Sequence, residues 1–325
     1  MRPDLFPFDL FDLGPLRRHG GATGRALAEL GPLCLSPPYP WGHWLYARLI
    51  REHCRRLEGD FIECGVAKGG TSLFLARFAR GLGRRVWALD SFVGLPAPDP
   101  ARDNPYFMRG DYAPRQERGD LLQRFRGAIR QAGADGIVRP IQGFFETSLQ
   151  RLPRRARFCF IHVDVDLYDS AWQVLEGLHD RLVEGGLLVL DDFFHHAQGP
   201  ARAAGEFFAS RSVTPVYHVS FPYSVVVIKG ERPAPGRHRS LDGNHYSFDW
   251  LREDTLLRRA LQASRARARR ARATRQLDNA SRLLEVLRAG RADQSSDVYE
   301  YWRALEDYWD DMDVNPSGAR SEYRI

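Results

Sequence analysis

The run Phe158-Cys159-Phe160-Ile161-His162-Val163-Asp164 constrains this fold more than any other feature. A short, almost continuous apolar run suits a strand buried on both faces, and both faces are covered only when helices flank a parallel sheet. The neighbouring segments keep the matching rhythm. Phe61–Val66 reads as a strand ending in a glycine turn, Thr71–Arg80 as a helix, Arg85–Asp90 as the next strand. Gly136–Ile141 is another strand and Thr147–Leu152 a helix. Beyond the central run, Ala171–Leu182 is helical, Gly185-Gly186 turns into the strand Leu187–Leu190, and Thr214–Val219 with Ser224–Ile228 forms a terminal hairpin. Strands alternating with helices at this spacing predict an α/β fold, a doubly wound parallel sheet with an antiparallel C-terminal edge. The core runs from about Trp41 to Gly230, an ordinary domain size. Residues 1–40 then form an N-terminal extension or lid. Residues 231–325 form a linker, Pro-rich over Glu231–Gly236, and a helical C-terminal extension.

Composition excludes several classes. With 43% hydrophobic and 27% charged residues in 325, and a mean hydropathy of −0.42, the chain reads as soluble globular material, not as disorder. No stretch approaches the roughly 18 to 20 apolar residues of a spanning helix. Met1-Arg2-Pro3-Asp4 fits neither a signal nor a transit peptide, so the expected location is the cytoplasm. Four cysteines, Cys34, Cys54, Cys64 and Cys159, sit singly, which argues against a disulfide framework or a zinc site. The net charge is +6, but Lys68 and Lys229 are the only lysines among 47 basic residues. Such an arginine bias reflects coding preference and does not imply nucleic acid. Charge is nonetheless segregated in the tail. Leu256–Leu277 carries arginines and no acid, whereas Tyr299–Asp313 is acidic and aromatic. A basic helix followed by an acidic one can pair with itself or with a second subunit, so a homo-oligomer through the C-terminal helices is expected, with a polyanion-binding arm as the alternative.

Two strand ends carry chemistry. Glu63-Cys64-Gly65-Val66-Ala67-Lys68-Gly69-Gly70-Thr71-Ser72 joins a strand to a helix through glycines. That turn lets a ligand approach the backbone closely and offers exposed helix N–H groups. It is neither GxGxxG nor a P-loop. Asp90, at the end of the second strand, suits a ribose, because a carboxylate can accept from both hydroxyls. Together these resemble the S-adenosylmethionine site of class I methyltransferases. At the other end, Asp164-Val165-Asp166-Leu167-Tyr168-Asp169-Ser170 follows the central strand and Asp191-Asp192-Phe193 the next. Adjacent parallel strands open into one crevice. Clustered carboxylates there are costly unless a cation neutralises them, and all-oxygen ligands suit Mg²⁺. Helix capping is the alternative role for these acids. Asp164 and Asp166 lie two apart, which in an extended strand end turns both to one side.

The runs Phe61–Thr71, Asp90–Pro96, Asp164–Ser170 and Gly185-Gly186 leading to Asp191-Asp192 resemble the macrocin O-methyltransferase family in order and approximate spacing, from about Gly59 to Gly230. The resemblance implies a class I methyltransferase (Rossmann-like) fold and a metal-dependent transfer of methyl from S-adenosylmethionine to a hydroxyl of a sugar or sugar-bearing natural product. It implies Mg²⁺ ligation by Asp164, Asp191 and Asp192, and Asp166 as general base. It also implies cofactor binding by Glu63, Gly65, Ser72, Asp90 and Ser91, with Gln142, Gly143 and Phe144 near the adenine. The chain continues well past that family's terminal hairpin.

Other readings stay open at this point. Ser36-Pro37-Pro38-Tyr39 resembles a motif of nucleobase amino methyltransferases, but the segment before it is a poor strand, so a surface turn or a lid is preferred. His195 and His196 could touch substrate or metal or lie in an exposed loop; Trp41, Trp44 and Tyr46 could line an acceptor pocket or staple the helix Leu45–Leu57. Other acceptors, such as a peptide, a catechol-like diol or nucleic acid, or a non-catalytic scaffold are the rivals. Unused buried acids argue against the scaffold.

Overall fold

The structure, a computed structural model, describes residues 14–30, 39–105, 107–113, 120–194, 199–221, 223–235, 238–241, 243–272, 274–288 and 301. Its strands are β1 (Asp60–Cys64), β2 (Val86–Asp90), β3 (Val138–Gln142), β4 (Phe158–Val163), β5 (Leu182–Leu190), β6 (Val216–Val219), β7 (Val225–Ile228), β8 (Arg239–Leu241) and β9 (Asn244–Ser247). They form one nine-stranded sheet in the order β3-β2-β1-β4-β5-β7-β6-β9-β8. Strands β1 to β5 run parallel, β7 is antiparallel to β5, and β6 to β7. This is the doubly wound α/β sheet expected, with its antiparallel edge.

The helices are α1 (Gly14–His19), α2 (Gly21–Leu30), α3 (Tyr39–Glu52), α4 (Gly70–Gly81), α5 (Leu121–Gln131), α6 (Phe145–Ser148), α7 (Tyr168–Leu178), α8 (Gly199–Ser210), α9 (Asp249–Glu253), α10 (Thr255–Ala271) and α11 (Thr274–Arg288). Successive residues of β4 alternate between two apolar layers. Phe160 joins Leu45, Phe74 and Phe125 of α3, α4 and α5, whereas Ile161 joins Leu175, Phe207, Leu261 and Leu284 of α7, α8, α10 and α11. All six residues of β4 are buried, which accounts for the unbroken apolar run.

Four local expectations change. The sheet does not stop near Gly230: β9 pairs parallel with β6, and β8 antiparallel with β9. These strands cover the row of N–H and C=O groups that β6 would otherwise expose. Gly185-Gly186 lies inside β5, where a register shift between Phe158 and Phe160 of β4 absorbs the extra residues. The helix read at Thr147–Leu152 is short α6 followed by a 3₁₀ turn. The basic helix is two helices, broken at Arg272, whose φ of 56° is left-handed. Leu256, Leu257, Ala260 and Leu261 of α10 are buried, while Arg259, Arg267, Arg269 and Arg270 are exposed.

Cys54, Cys64 and Cys159 are buried free thiols. No described helix is long and apolar enough to cross a membrane. Residues 36–38 of the Pro-Pro motif, His195 and His196, and the acidic stretch apart from Tyr301 lie outside the described residues.

Candidate functional site

The β1–α4 turn is built by close contacts that only glycine permits. Gly65 has φ +86°, and a Cβ there would lie 1.6 Å from the Asp164 carbonyl oxygen. The loops after β1 and β4 therefore touch. Gly69, at φ +90°, is the N-cap of α4 without a side-chain cap, and the Phe125 ring occupies the space its Cβ would need. The N-cap residue of α4 thus offers no side chain of its own to the first turn's backbone donors.

Asp90 closes this turn. One of its oxygens, Oδ2, accepts from the N–H groups of Val66 at 2.7 Å and Ala67 at 3.0 Å, while Oδ1 accepts from Phe92 N–H at 2.5 Å. A carboxylate offers about four acceptor sites, so three are engaged here by backbone. Ser91 Oγ bonds Gly94 O at 2.7 Å and accepts from Val93 N–H. The β2–β3 register sets Gln142 opposite Asp90, and Gly143 N–H donates to Asp90 O at 2.8 Å. Phe144, 36% exposed, and Val93, 54% exposed, give this edge an uncovered apolar surface. Asp90, Ser91, Gln142, Gly143 and Phe144 thus come together.

Glu63 and Ser72 come together differently. Both are buried and hydrogen-bond each other, Ser72 Oγ donating to Glu63. Burial pushes the Glu63 carboxyl up to about 8, against the opposing bonds from Ser72 and Thr71. His43 of α3 meets Thr71 Oγ1 at 2.8 Å. The family resemblance assigned Glu63 to the cofactor; in the structure it is buried and bonded to Ser72 and Thr71 at the start of α4.

The acidic end lies beside the first. Asp164 N–H donates to Cys64 O at 2.9 Å and Asp191 N–H to Val163 O at 2.8 Å, so the ladders β1–β4 and β4–β5 run on into both acidic loops. Asp191 and Asp192 are buried. The extended geometry expected for Asp164 and Asp166 does not hold. β4 ends at Val163, and Asp166 has φ +59°, left-handed like Asp192 at +53°. Such a conformation is uncommon outside glycine, least so for Asp and Asn, and concentrates at functional loops. It brings the Asp166 and Asp192 carboxyls into a hydrogen bond. Burial, then the negative charge of Asp191, pushes Asp166 up to about 7 and Asp192 well above its ordinary range. One proton shared between acids this close is the expected response to their repulsion.

Sequence reasoning missed three supporting residues. Asp103 accepts from Tyr168 N–H at 2.7 Å, capping α7 from a distant loop. Ser224 Oγ donates to Asp191 Oδ1. His162 is fully buried and pushed down to about 3 by burial, so its ring is neutral. None of them sits in a local pattern: Asp103 and Ser224 bond across the fold, while His162 makes ring contacts with His43 and Tyr46 and no hydrogen bond.

The acids suit a hard divalent cation by donor chemistry, being all oxygen and mutually repelled. Among the described residues, however, no three His, Cys, Asp or Glu side chains form a group arranged to hold a metal.

Comparison with known proteins adds to this geometry. A family model described as macrocin-O-methyltransferase matches residues 47–221. The chain is 35% identical over 145 residues to the 8-demethyl-8-(2,3-dimethoxy-alpha-L-rhamnosyl)-tetracenomycin-C 4'-O-methyltransferase of Streptomyces olivaceus, across 42% of this chain and 53% of that protein. It is 30% identical over 146 residues to the mycinamicin III 3''-O-methyltransferase of Micromonospora griseorubida, across 42% of this chain and 55% of the relative. The chain spans about half the length of the curated relatives it matches. Among solved structures, the calicheamicin methyltransferase CalS11 superposes with a TM-score of 0.53 at 18% identity, covering 68% of this chain and 91% of that one. That likeness concerns the fold alone.

Proposed function

The chain belongs to the macrocin O-methyltransferase family, and from that premise we propose that it transfers a methyl group from S-adenosylmethionine to a hydroxyl of a sugar or sugar-bearing natural product, with a divalent cation, Mg²⁺, at the acidic end. The observation that carries this reading is the meeting of two strand-end clusters. The glycine turn closed by Asp90 touches the loop bearing Asp164 directly, at Gly65. A methyl donor over the first cluster and a hydroxyl at the second would lie side by side, and alignment is most of what a methyl displacement needs.

Each residue then has a task. Gly65 and Gly69 keep the turn open to close approach, and Asp90, with its remaining acceptor capacity, takes a ribose hydroxyl. Val93 and Phe144 offer an apolar face to an adenine, with Ser91, Gln142 and Gly143 forming the edge beside it. Glu63 and Ser72 act from below by fixing the start of α4. Asp164, Asp191 and Asp192 would hold the cation, which supplies Lewis acidity and lowers the pKa of an acceptor hydroxyl. Asp166 takes the hydroxyl proton, a carboxylate set beside the ligand acids without being one of them.

The sugar acceptor rests on the name of one relative, whose substrate carries a rhamnosyl group. The proposed setting is the cytoplasm. Association of two copies through the C-terminal helices rests on the exposed arginines of α10 and the acidic stretch Tyr299–Asp313 of the sequence, which could meet across two copies.

The test is release of S-adenosylhomocysteine when the protein is incubated with S-adenosylmethionine and a panel of deoxysugar glycosides. Turnover that EDTA stops and Mg²⁺ restores is expected. Turnover that survives excess EDTA would remove the metal from the reading. Absence of S-adenosylmethionine binding would remove the reading altogether.

A further inference from the structure

The glycine turn of the cofactor end is pliable by composition, so its surroundings have to hold it. Gly69 and Gly70 lead straight into α4, and no side chain caps the helix at Gly69. Backbone with so little steric restraint costs entropy to order. A ligand that meets it bears that cost unless neighbouring side chains have already fixed the turn. Three contacts do so here. Asp90 holds the start of the turn through the Val66 and Ala67 N–H groups. Glu63 of β1 accepts from Ser72, in the first turn of α4. The third contact comes from α3, where His43 Nε2 meets Thr71 Oγ1 at 2.8 Å.

His43 is well placed to hold that hydroxyl still. It is 1% exposed and Thr71 is 7% exposed, so water competes little for the bond. The imidazole stands edge-on to Phe74 of α4, with ring centroids 4.8 Å apart at 90°, and lies 5.5 Å from the Tyr46 ring on its own helix. These contacts fix the ring without using its nitrogens. Thr71 is β-branched and stiff at χ1, so fixing its hydroxyl also fixes the backbone that carries it. The bond forms with either imidazole tautomer, because a hydroxyl both donates and accepts. His43 precedes the stretch matched by the family, residues 47–221, and none of the sequence motifs includes it.

We propose that His43 is a positioning residue for the methyl donor: through Thr71 it sets the first turn of α4, so that the backbone N–H groups there are in place before S-adenosylmethionine binds. The proposal rests on the donor reading given above and is independent of the cation. It adds α3, which comes before β1, to the parts of the chain that shape the cofactor end.

The experiment is calorimetric titration of S-adenosylmethionine into the full chain, for the wild type, H43F, T71V, the H43F/T71V double variant and H43Q. Phe keeps the ring contacts and removes the nitrogen; Val keeps the branching of Thr and removes the hydroxyl. Each should weaken binding about 3- to 10-fold, the worth of one hydrogen bond. The double variant should bind no more weakly than the more affected single variant, since both changes remove the same bond. Gln offers both a donor and an acceptor, so H43Q should return to within about twofold of the wild type. That rescue separates the bond from packing, because Gln restores the polar contact and not the ring. T71V reads the same bond without touching α3, should H43F lose the fold. Wild-type affinity in T71V, a double variant whose loss is the product of the single losses, or an H43Q that binds no better than H43F overturns the proposal. A wild type that gives no S-adenosylmethionine heat overturns the donor reading instead, and the proposal with it.

Discussion

The two strand-end clusters use acids in opposite ways. At the cofactor end each carboxyl is met by donors. Asp90 takes three backbone N–H groups and Glu63 takes the Ser72 hydroxyl. At the acidic end the carboxyls meet each other: Asp166 bonds Asp192, and Asp191 adds its charge to both. The first cluster is electrostatically complete as it stands. The second needs a proton or a cation, because like charges this close are costly in a buried site. The first cluster keeps a spare acceptor site on Asp90 for a neutral donor, whereas the second is where a ligand's positive charge would find its partner.

Substitutions at the acidic end should have the largest effects. Asp192→Ala should abolish turnover in a coupled S-adenosylhomocysteine assay, since on the proposed reading it would remove a ligand to the cation. Asp166→Asn keeps shape and removes proton-accepting power, so kcat should fall by about 10² to 10⁴ while S-adenosylmethionine and Mg²⁺ still bind by calorimetry. Near wild-type kcat in that variant would make Asp166 part of the acidic scaffold and blur the contrast.

The cofactor end should respond more mildly. Asp90→Ala strands the Val66, Ala67 and Phe92 N–H groups and should weaken S-adenosylmethionine binding by about 1–3 kcal/mol, read as a change in Kd. Mg²⁺ affinity should not move. Equal losses of both ligands would mean that the two clusters form one cooperative unit.

The smallest effect is a pH dependence. Glu63 titrates at about 8 in the fold, above its unfolded value of about 4.3. The folded state therefore binds the extra proton between those values. The stabilisation Glu63 provides is complete below the lower one and is lost as pH rises through about 8. Melting temperatures measured from pH 5 to 9 should fall less steeply for Glu63→Gln than for the wild type. Parallel curves would contradict the buried, protonated state.

The fold was legible where burial alone decides it. Phe160 and Ile161 face opposite layers, so the apolar run of β4 announced a strand covered on both sides. The positions of Asp90, Asp164 and Asp191 at strand ends followed from the same pattern. What pattern could not carry was the partner of each side chain. Glu63 reads as a strand-end acid that the family resemblance assigns to the cofactor, and its bonds to Ser72 and Thr71 show only in the fold. The left-handed backbone of Asp166 and Asp192 has no signature, because neither is glycine. Arg272 breaks a helix whose composition runs on unchanged. Ser224 gains its bond to Asp191 only through β5–β7 pairing, a contact that no local window contains.

The contrast between the clusters is tested most directly by thermal melting at pH 8 with Mg²⁺ or with EDTA. Binding to the folded state alone stabilises it by about 2.7 kcal/mol at a hundredfold excess over Kd, or about 5 °C or more in melting temperature for a domain of this size. The wild type should show that rise with Mg²⁺, Asp90→Ala should show it equally, and Asp192→Asn should lose most of it. The same melting temperature in Mg²⁺ and in EDTA for the wild type would contradict the claim that the acidic end is completed by a cation.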